Sequence, residues 1–174
     1  MSVNRGLFSS NRDDWETPQE LFETLDAEFH FTLDPCCTAE TAKCAKFYTE
    51  QDDGLAQSWQ GERVFVNPPY GRQIGKWVAK AHTESGCDRA GETVIVLLLP
   101  SRTDTAWWHS GVMLHADEIR FIVGRLRFGN QKNAAPFPSA IVVFAGRRCH
   151  AWPDEVRLRV YSVGSEGERL PGYP

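Results

Sequence analysis

The sequence predicts an α/β protein built on a mostly parallel, doubly wound sheet, and three observations carry that reading. Short apolar runs of strand character recur at 31–34, 62–66, 93–100, 118–123 and 139–145. Intervals between or before them place apolar residues at helical spacing, most clearly at 18–28 and 71–83. The run Thr93-Val94-Ile95-Val96-Leu97-Leu98-Leu99-Pro100 is the most continuous apolar stretch of the chain, as expected of a central parallel strand buried on both faces. Strands alternating with helices form layers, with the helices covering both faces of one sheet.

Taken in order, residues 1–12 are small, polar and aperiodic and read as a flexible arm. Thr17 stands where a helix cap belongs, Pro18 suits the first helical position, and Glu20 follows three residues after Thr17. A capping box is therefore expected, opening a helix to about Glu28 with Leu21, Phe22, Leu25 and Phe29 on one face. Phe31-Thr32-Leu33 forms a short strand ending at Asp34-Pro35, and Thr38 is expected to cap a small helix over 39–46. Residues 48–61 are turn-rich and carry no strand pattern. The strand 62–66 leads into Asn67-Pro68-Pro69-Tyr70, and Ile74, Trp77, Val78 and Ala81 then mark a covering helix. Residues 103–113 read as another helix, 118–123 and 139–145 as strands, and 156–160 as a strand-like stretch. Residues 163–174, rich in Gly, Glu and Pro, read as a disordered tail, which leaves 13–162 as a single domain.

The composition is that of a soluble globular protein, 41% hydrophobic and 24% charged. No apolar run approaches the ~18 residues of a transmembrane helix, and no signal-peptide pattern opens the chain, so a cytoplasmic protein without membrane attachment is expected. Five cysteines, two of them adjacent at 36 and 37, make an odd count that suits reduced thiols. Cys36, Cys37, Cys44 and His30 form no C-x-x-C pair, so no metal site is expected. The net charge of −4 argues against a polyanionic partner, but its distribution argues the other way. Residues 13–62 hold thirteen Asp or Glu against two Lys, whereas 119–150 hold six Arg or Lys and no acid. Such asymmetry is the pattern of a polyanion-facing side.

Asn67-Pro68-Pro69-Tyr70 is the stretch that carries chemistry. It stands at the carboxyl end of a strand, where open α/β sheets bind ligands, and its two prolines stiffen the turn while freeing carbonyls to accept outside hydrogen bonds. An exocyclic amine on a heteroaromatic ring, or an amide, is a poor nucleophile because its lone pair is drawn into the π system. The Asn67 side-chain oxygen and the Pro68 carbonyl could each accept one of its N–H bonds, turning the lone pair toward an electrophile. Tyr70 offers a face on which a ring can stack. Asp34 and the pair Asp52-Asp53, also in strand-end positions, suggest one nucleotide-like ligand lying across the same edge. No G-x-G-x-x-G follows the first strand, which speaks against a dinucleotide.

The order of these pieces resembles the phage-type DNA N6-adenine methyltransferases, the Dam-like enzymes of phages and prophages. The resemblance spans roughly residues 13–145 and rests on W-E-T-P-Q-E-L-F (15–22), L-D-P-C (33–36), D-D-G-L (52–55) with Trp59, and V-N-P-P-Y-G (66–71). L-L-P (98–100), G-R-L-R-F (124–128) and P-F-P-S-A-I-V-V-F (136–144) complete it. It implies a Rossmann-like S-adenosylmethionine-dependent methyltransferase fold with a trimmed parallel or mixed sheet, S-adenosylmethionine as cofactor and double-stranded DNA as partner. By the same resemblance Trp15, Thr17 and Pro18 would touch the cofactor, Thr17-Pro18 at its methionine end. Asp34, Pro35 and Cys36 would form its principal loop, and Asp53 would lie near the adenosine, with Asp52 as a close rival. Asn67, Pro68, Pro69 and Tyr70 would act on a flipped adenine. Phe137 would pack on that base, and Arg125 and Arg127 would face the DNA.

The sequence also departs from longer methyltransferases. D-P-C-C replaces a glycine-rich turn, and only thirty-two residues separate Asp34 from Asn67, too few for two strand-helix units. N-P-P-Y also serves enzymes that methylate RNA bases or a protein glutamine, so those substrates, and a non-catalytic DNA-binding module, stay open alternatives at this stage.

Overall fold

The computed structural model describes residues 15–87, 92–129, 131–145 and 157–161. The expected arm at 1–12 and tail at 163–174 lie outside them. Chain order gives α1 (Gln19–Phe29), β1 (Leu33–Asp34), β2 (Lys46–Phe47), β3 (Arg63–Val66), α2 (Ile74–Cys87), β4 (Val94–Pro100), α3 (Trp108–Met113), β5 (Glu118–Ile122), β6 (Ser139–Phe144) and β7 (Arg157–Tyr161). The strands form one sheet in the order β2-β1-β3-β4-β6-β5-β7. β2, β1, β3 and β4 are mutually parallel, β6 runs antiparallel between β4 and β5, and β7 pairs parallel with β5. The sheet is thus the trimmed, mixed one expected, although β4 is parallel on one side only. Between β1 and β3 the chain fits a two-residue strand and turns, as the short spacing requires.

The period-two alternation of the strands divides the core. Val64, Val66, Ile95, Leu97, Leu99, Ala140 and Val142 face one layer, covered by Ile74, Trp77, Val78 and Ala81 of α2 and by Trp108 and Val112 of α3. Phe65, Val96, Leu98, Ile141 and Val143 face the other, covered by Leu21, Phe22 and Leu25 of α1 and by Leu126, Phe128 and Ala135. Helices therefore lie on both faces. α3 replaces the ordinary helix expected over 103–113 with wide π-type turns. Its Gly111 sits where a Cβ would come within 2.7 Å of Val78 Cγ1, so the glycine lets α3 approach α2.

Two local expectations are corrected. Thr17 does not cap α1; Pro18 occupies the cap position and no side chain closes the helix end. The helix expected over 39–46 is absent, and side chains draw the backbone of this segment into loop contacts instead. The Thr38 N–H is donated to Thr41 Oγ1 at 3.0 Å and the Lys43 N–H to Asp34 Oδ2 at 3.1 Å. The segment ends as β2, laid parallel to β1.

Candidate active site

Because β1 to β4 run parallel, their carboxyl ends deliver Asp34, the 48–54 turn, Asn67 and Ser101 to one edge of the sheet. Asp34 is 3% exposed and its carboxylate is fully engaged by its own loop: Oδ1 accepts the Cys36 N–H at 3.3 Å and Oδ2 that of Lys43. Burial pushes its carboxyl above the usual range, and those two backbone donors oppose the rise. Its role is to shape the 35–43 loop. That loop touches the next one at Gly54, where a Cβ would lie 2.0 Å from the Pro35 carbonyl oxygen. The Trp59 indole donates to the Gly54 carbonyl at 3.0 Å and locks the contact from below.

The same turn separates the two neighbouring acids. Asp52 closes a capping box, accepting from the Thr49 N–H at 2.8 Å and Thr49 Oγ1 at 2.7 Å. Asp53 is exposed in a left-handed conformation at φ 50° and makes no side-chain hydrogen bond among the described residues. Both acids are exposed, and of the pair Asp53 is the one whose carboxylate is not engaged by the turn among the described residues.

Asn67 follows β3 on the α1 side of the sheet, and the segment before α1 reaches over to it. Its Nδ2 donates to the Trp15 carbonyl oxygen and, at 3.0 Å, to Thr17 Oγ1. A carbonyl can only accept, so these partners fix which way the amide points. The consequence is that Asn67 Oδ1 is buried without a hydrogen-bond partner among the described residues. Among the described residues no hydrogen bond to the Pro68 carbonyl is formed either, whereas the Pro69 carbonyl takes the Gly71 N–H at 2.9 Å.

Aromatic rings wall this corner. Tyr70 meets Phe137 edge-on at 5.5 Å and Phe128 at 6.0 Å, and Trp15 meets Phe137 at 5.1 Å and Phe128 at 5.3 Å. The Tyr70 hydroxyl donates to the Leu98 carbonyl at 3.2 Å, and burial raises it well above an ordinary phenol, so it remains neutral. The Tyr70 hydroxyl is thus unsuited to act as a base. The structure brings Trp15, Thr17, Asn67, Tyr70 and Phe137 into one cluster. Phe128 is a member that sequence reasoning did not assign to the site; its signal was the alternation Arg125-Leu126-Arg127-Phe128, whose apolar members are buried while both arginines are exposed.

A family model described as DNA N-6-adenine-methyltransferase (Dam) matches residues 6–146. The chain belongs to this family. A DNA N-6-adenine-methyltransferase of Haemophilus phage HP1 is 30% identical over 135 residues, 76% of this chain and 75% of the relative. One of Escherichia phage T1 is 32% identical over 102 residues, 56% of this chain and 40% of the relative. A solved structure from Listeria monocytogenes, described as a class I S-adenosylmethionine-dependent methyltransferase, superposes with a TM-score of 0.57 at 11% identity, covering 88% of this chain and 68% of that one. The fold of this Dam-family chain is therefore the Rossmann-like methyltransferase fold.

Within the Dam-family chain the remaining residues of interest are placed as follows. Arg125 leans back, its Nη1 3.5 Å from the Ala135 carbonyl, while Arg127 makes no ion pair among the described residues. Burial holds the Cys37 and Cys44 thiols up at about 12, so both are neutral. Among the described residues no cluster of three or more His, Cys, Asp or Glu could hold a metal ion, and no helix is long and apolar enough to cross a membrane.

Proposed function

We propose that the chain transfers a methyl group from S-adenosylmethionine to the exocyclic N6 of an adenine flipped out of double-stranded DNA. The observation that supports this most strongly is the Asn67 amide, with both N–H groups engaged and Oδ1 buried and unpartnered. An unmet buried acceptor costs about 1–3 kcal/mol, and a substrate N–H would recover it. The N6 amine has two N–H bonds, and the pair of open acceptors, Asn67 Oδ1 and the Pro68 carbonyl, suits both. Accepting them draws the amine toward a pyramidal geometry and frees its lone pair. Pro69 keeps the turn rigid, and Tyr70 with Phe137 holds the ring so that the lone pair meets its target at short range.

When bound, S-adenosylmethionine supplies an electrophilic methyl group on a sulfonium sulfur. The residues at the sheet edge suit it. The Pro35-Cys36 turn, shaped by Asp34 and seated on Gly54, would carry the adenosine side, and the carboxylate of the exposed Asp53 would accept from ribose hydroxyls. The Trp15-to-Pro18 segment would line the methionine side next to Asn67. The methylated amine is cationic and gives its proton to water, so no side chain is needed as a base. Arg125 and Arg127, exposed beside the aromatic corner, would contact phosphates. Such a protein would work where DNA is accessible, in the cytoplasm of the bacterial or infected cell.

The deciding experiment gives the protein labelled S-adenosylmethionine with duplex DNA, RNA or protein in parallel, followed by nucleoside analysis. Label in N6-methyladenine from DNA is expected. Transfer to RNA or protein but not DNA would overturn the reading.

A further inference from the structure

We propose that Thr17 is a positioning residue for the methyl transfer, holding the Asn67 amide in the one rotation that aims Oδ1 at the substrate amine. The inference rests on the reading of Asn67 as the acceptor of that amine. Three observations carry it.

Thr17 is 4% exposed, and its Oγ1 accepts the second Nδ2 proton of Asn67 at 3.0 Å. The Trp15 carbonyl accepts the other. One acceptor alone would decide which end of the amide faces it but would leave the group free to swing; two acceptors on two protons fix the plane. Of the amide only Oδ1 is then left over, and it is buried without a partner among the described residues.

Thr17 also stands where its sequence context, T-P-x-E, favours a helix cap, yet α1 begins at Gln19 without any side-chain cap. A lost cap ordinarily destabilises a helix by about 1 kcal/mol. The hydroxyl is diverted from that local partner to a residue fifty positions away. A diversion with a stability cost suits a hydroxyl whose task lies in the site and not in the helix.

Finally, the backbone around Thr17 ties the same segment to the aromatic wall. The Gly129 N–H is donated to the Glu16 carbonyl at 2.8 Å, and Trp15 packs on Phe128 and Phe137. The acceptors that orient Asn67 therefore move with the rings that hold the base, and the two halves of substrate recognition share one rigid strap.

The test compares Thr17→Val, which keeps the shape and removes the acceptor, with Thr17→Ser, which keeps the acceptor. Thr17→Val is expected to lower kcat about ten- to thirtyfold, the value of one lost hydrogen bond expressed through the aim of Asn67. Any rise in the S-adenosylmethionine Kd by calorimetry should be much smaller than the fall in kcat, the melting temperature should drop by only a few degrees for the one orphaned Asn67 proton, and Thr17→Ser should restore kcat to within about threefold. The side-chain amide pair of Asn67, assigned in nitrogen-15 spectra by its disappearance in Asn67→Ala, should shift at one proton in Thr17→Val and return in Thr17→Ser. Wild-type kcat in Thr17→Val, an unmoved amide pair, or a loss of cofactor affinity equal to the loss of activity would each overturn the proposal. An Asn67→Ala protein that remains active would instead remove the underlying reading of Asn67.

Discussion

The two ends of the sheet treat polar groups in opposite ways. At the amino-terminal end of β3 and β4 lies a hollow of about 720 Å3, lined by Glu28, Arg63, Glu118 and Arg120 among others, where charges answer charges. Arg120 donates to both Glu28 oxygens at 2.6 Å and to Glu118 at 2.9 Å, and Arg159 joins Glu118 at 2.9 Å. At the carboxyl end Asn67 Oδ1, Ser101 Oγ and Ser139 Oγ are buried without partners among the described residues. The first arrangement ties α1, β5 and β7 together. The second keeps hydrogen-bonding capacity that the fold does not use, and that is where a substrate can be recognised.

The strongest way to break this contrast is Asn67→Ala. If Oδ1 is held open for the reaction, the variant should lose a factor of about 1,000 or more in kcat, equivalent to ~4 kcal/mol of barrier, as for other donors and acceptors aimed at a transition state. S-adenosylmethionine binding, measured by calorimetry, should survive. The melting temperature should change by no more than a few degrees, since removal of the unpartnered acceptor is offset by loss of the two hydrogen bonds that Asn67 Nδ2 gives to Trp15 and Thr17. Near-normal turnover would mean that the open oxygen has no catalytic meaning.

Gly54→Ala sharpens the contrast on the cofactor side. The new Cβ would fall 2.0 Å from the Pro35 carbonyl, so the two loops must part. Cofactor affinity is expected to drop by about tenfold or more with a stability loss of about 2 kcal/mol, within the usual range for a buried steric clash. At saturating cofactor kcat should recover most of its value, because Asn67 and the rings belong to other segments. Equal losses in kcat and affinity would show that the loops and the aromatic corner act as one unit.

How much of this was legible from sequence depends on how local each cause is. β4 could be read because seven consecutive residues carry the signal themselves. β2 could not, since Lys46-Phe47 has no pattern and exists as a strand only because β1 lies beside it. Asn67, Pro68 and Tyr70 could be singled out as candidates because one tetrapeptide holds two acceptors and a ring. Thr17 was misread as a cap because its partner is remote in the chain, and a strong local pattern outranks a distant contact when only the sequence is in view. Which carboxylate of the Asp52-Asp53 pair is engaged locally likewise needed the fold of the turn, where a capping box claims that of Asp52.

The smallest effect belongs to the amino-terminal end. The Arg120 guanidinium, donating hydrogen bonds to Glu28, holds that carboxyl below its ordinary value of 4.5 despite partial burial. A depressed carboxylate stabilises the fold above its unfolded value, and the contribution disappears as pH falls through the folded value. Glu28→Gln should therefore cost about 0.5–1 kcal/mol at neutral pH, kept small because Glu28 is half exposed and Arg120 retains Glu118. Denaturant unfolding at pH 7 and at pH 3 checks this: the gap between variant and wild type should close at the lower pH, with kcat unchanged at pH 7. A gap independent of pH would make Glu28 a neutral hydrogen-bond partner. A fall in kcat would connect the two ends of the sheet, and the paired charges would then serve the site as well as the scaffold.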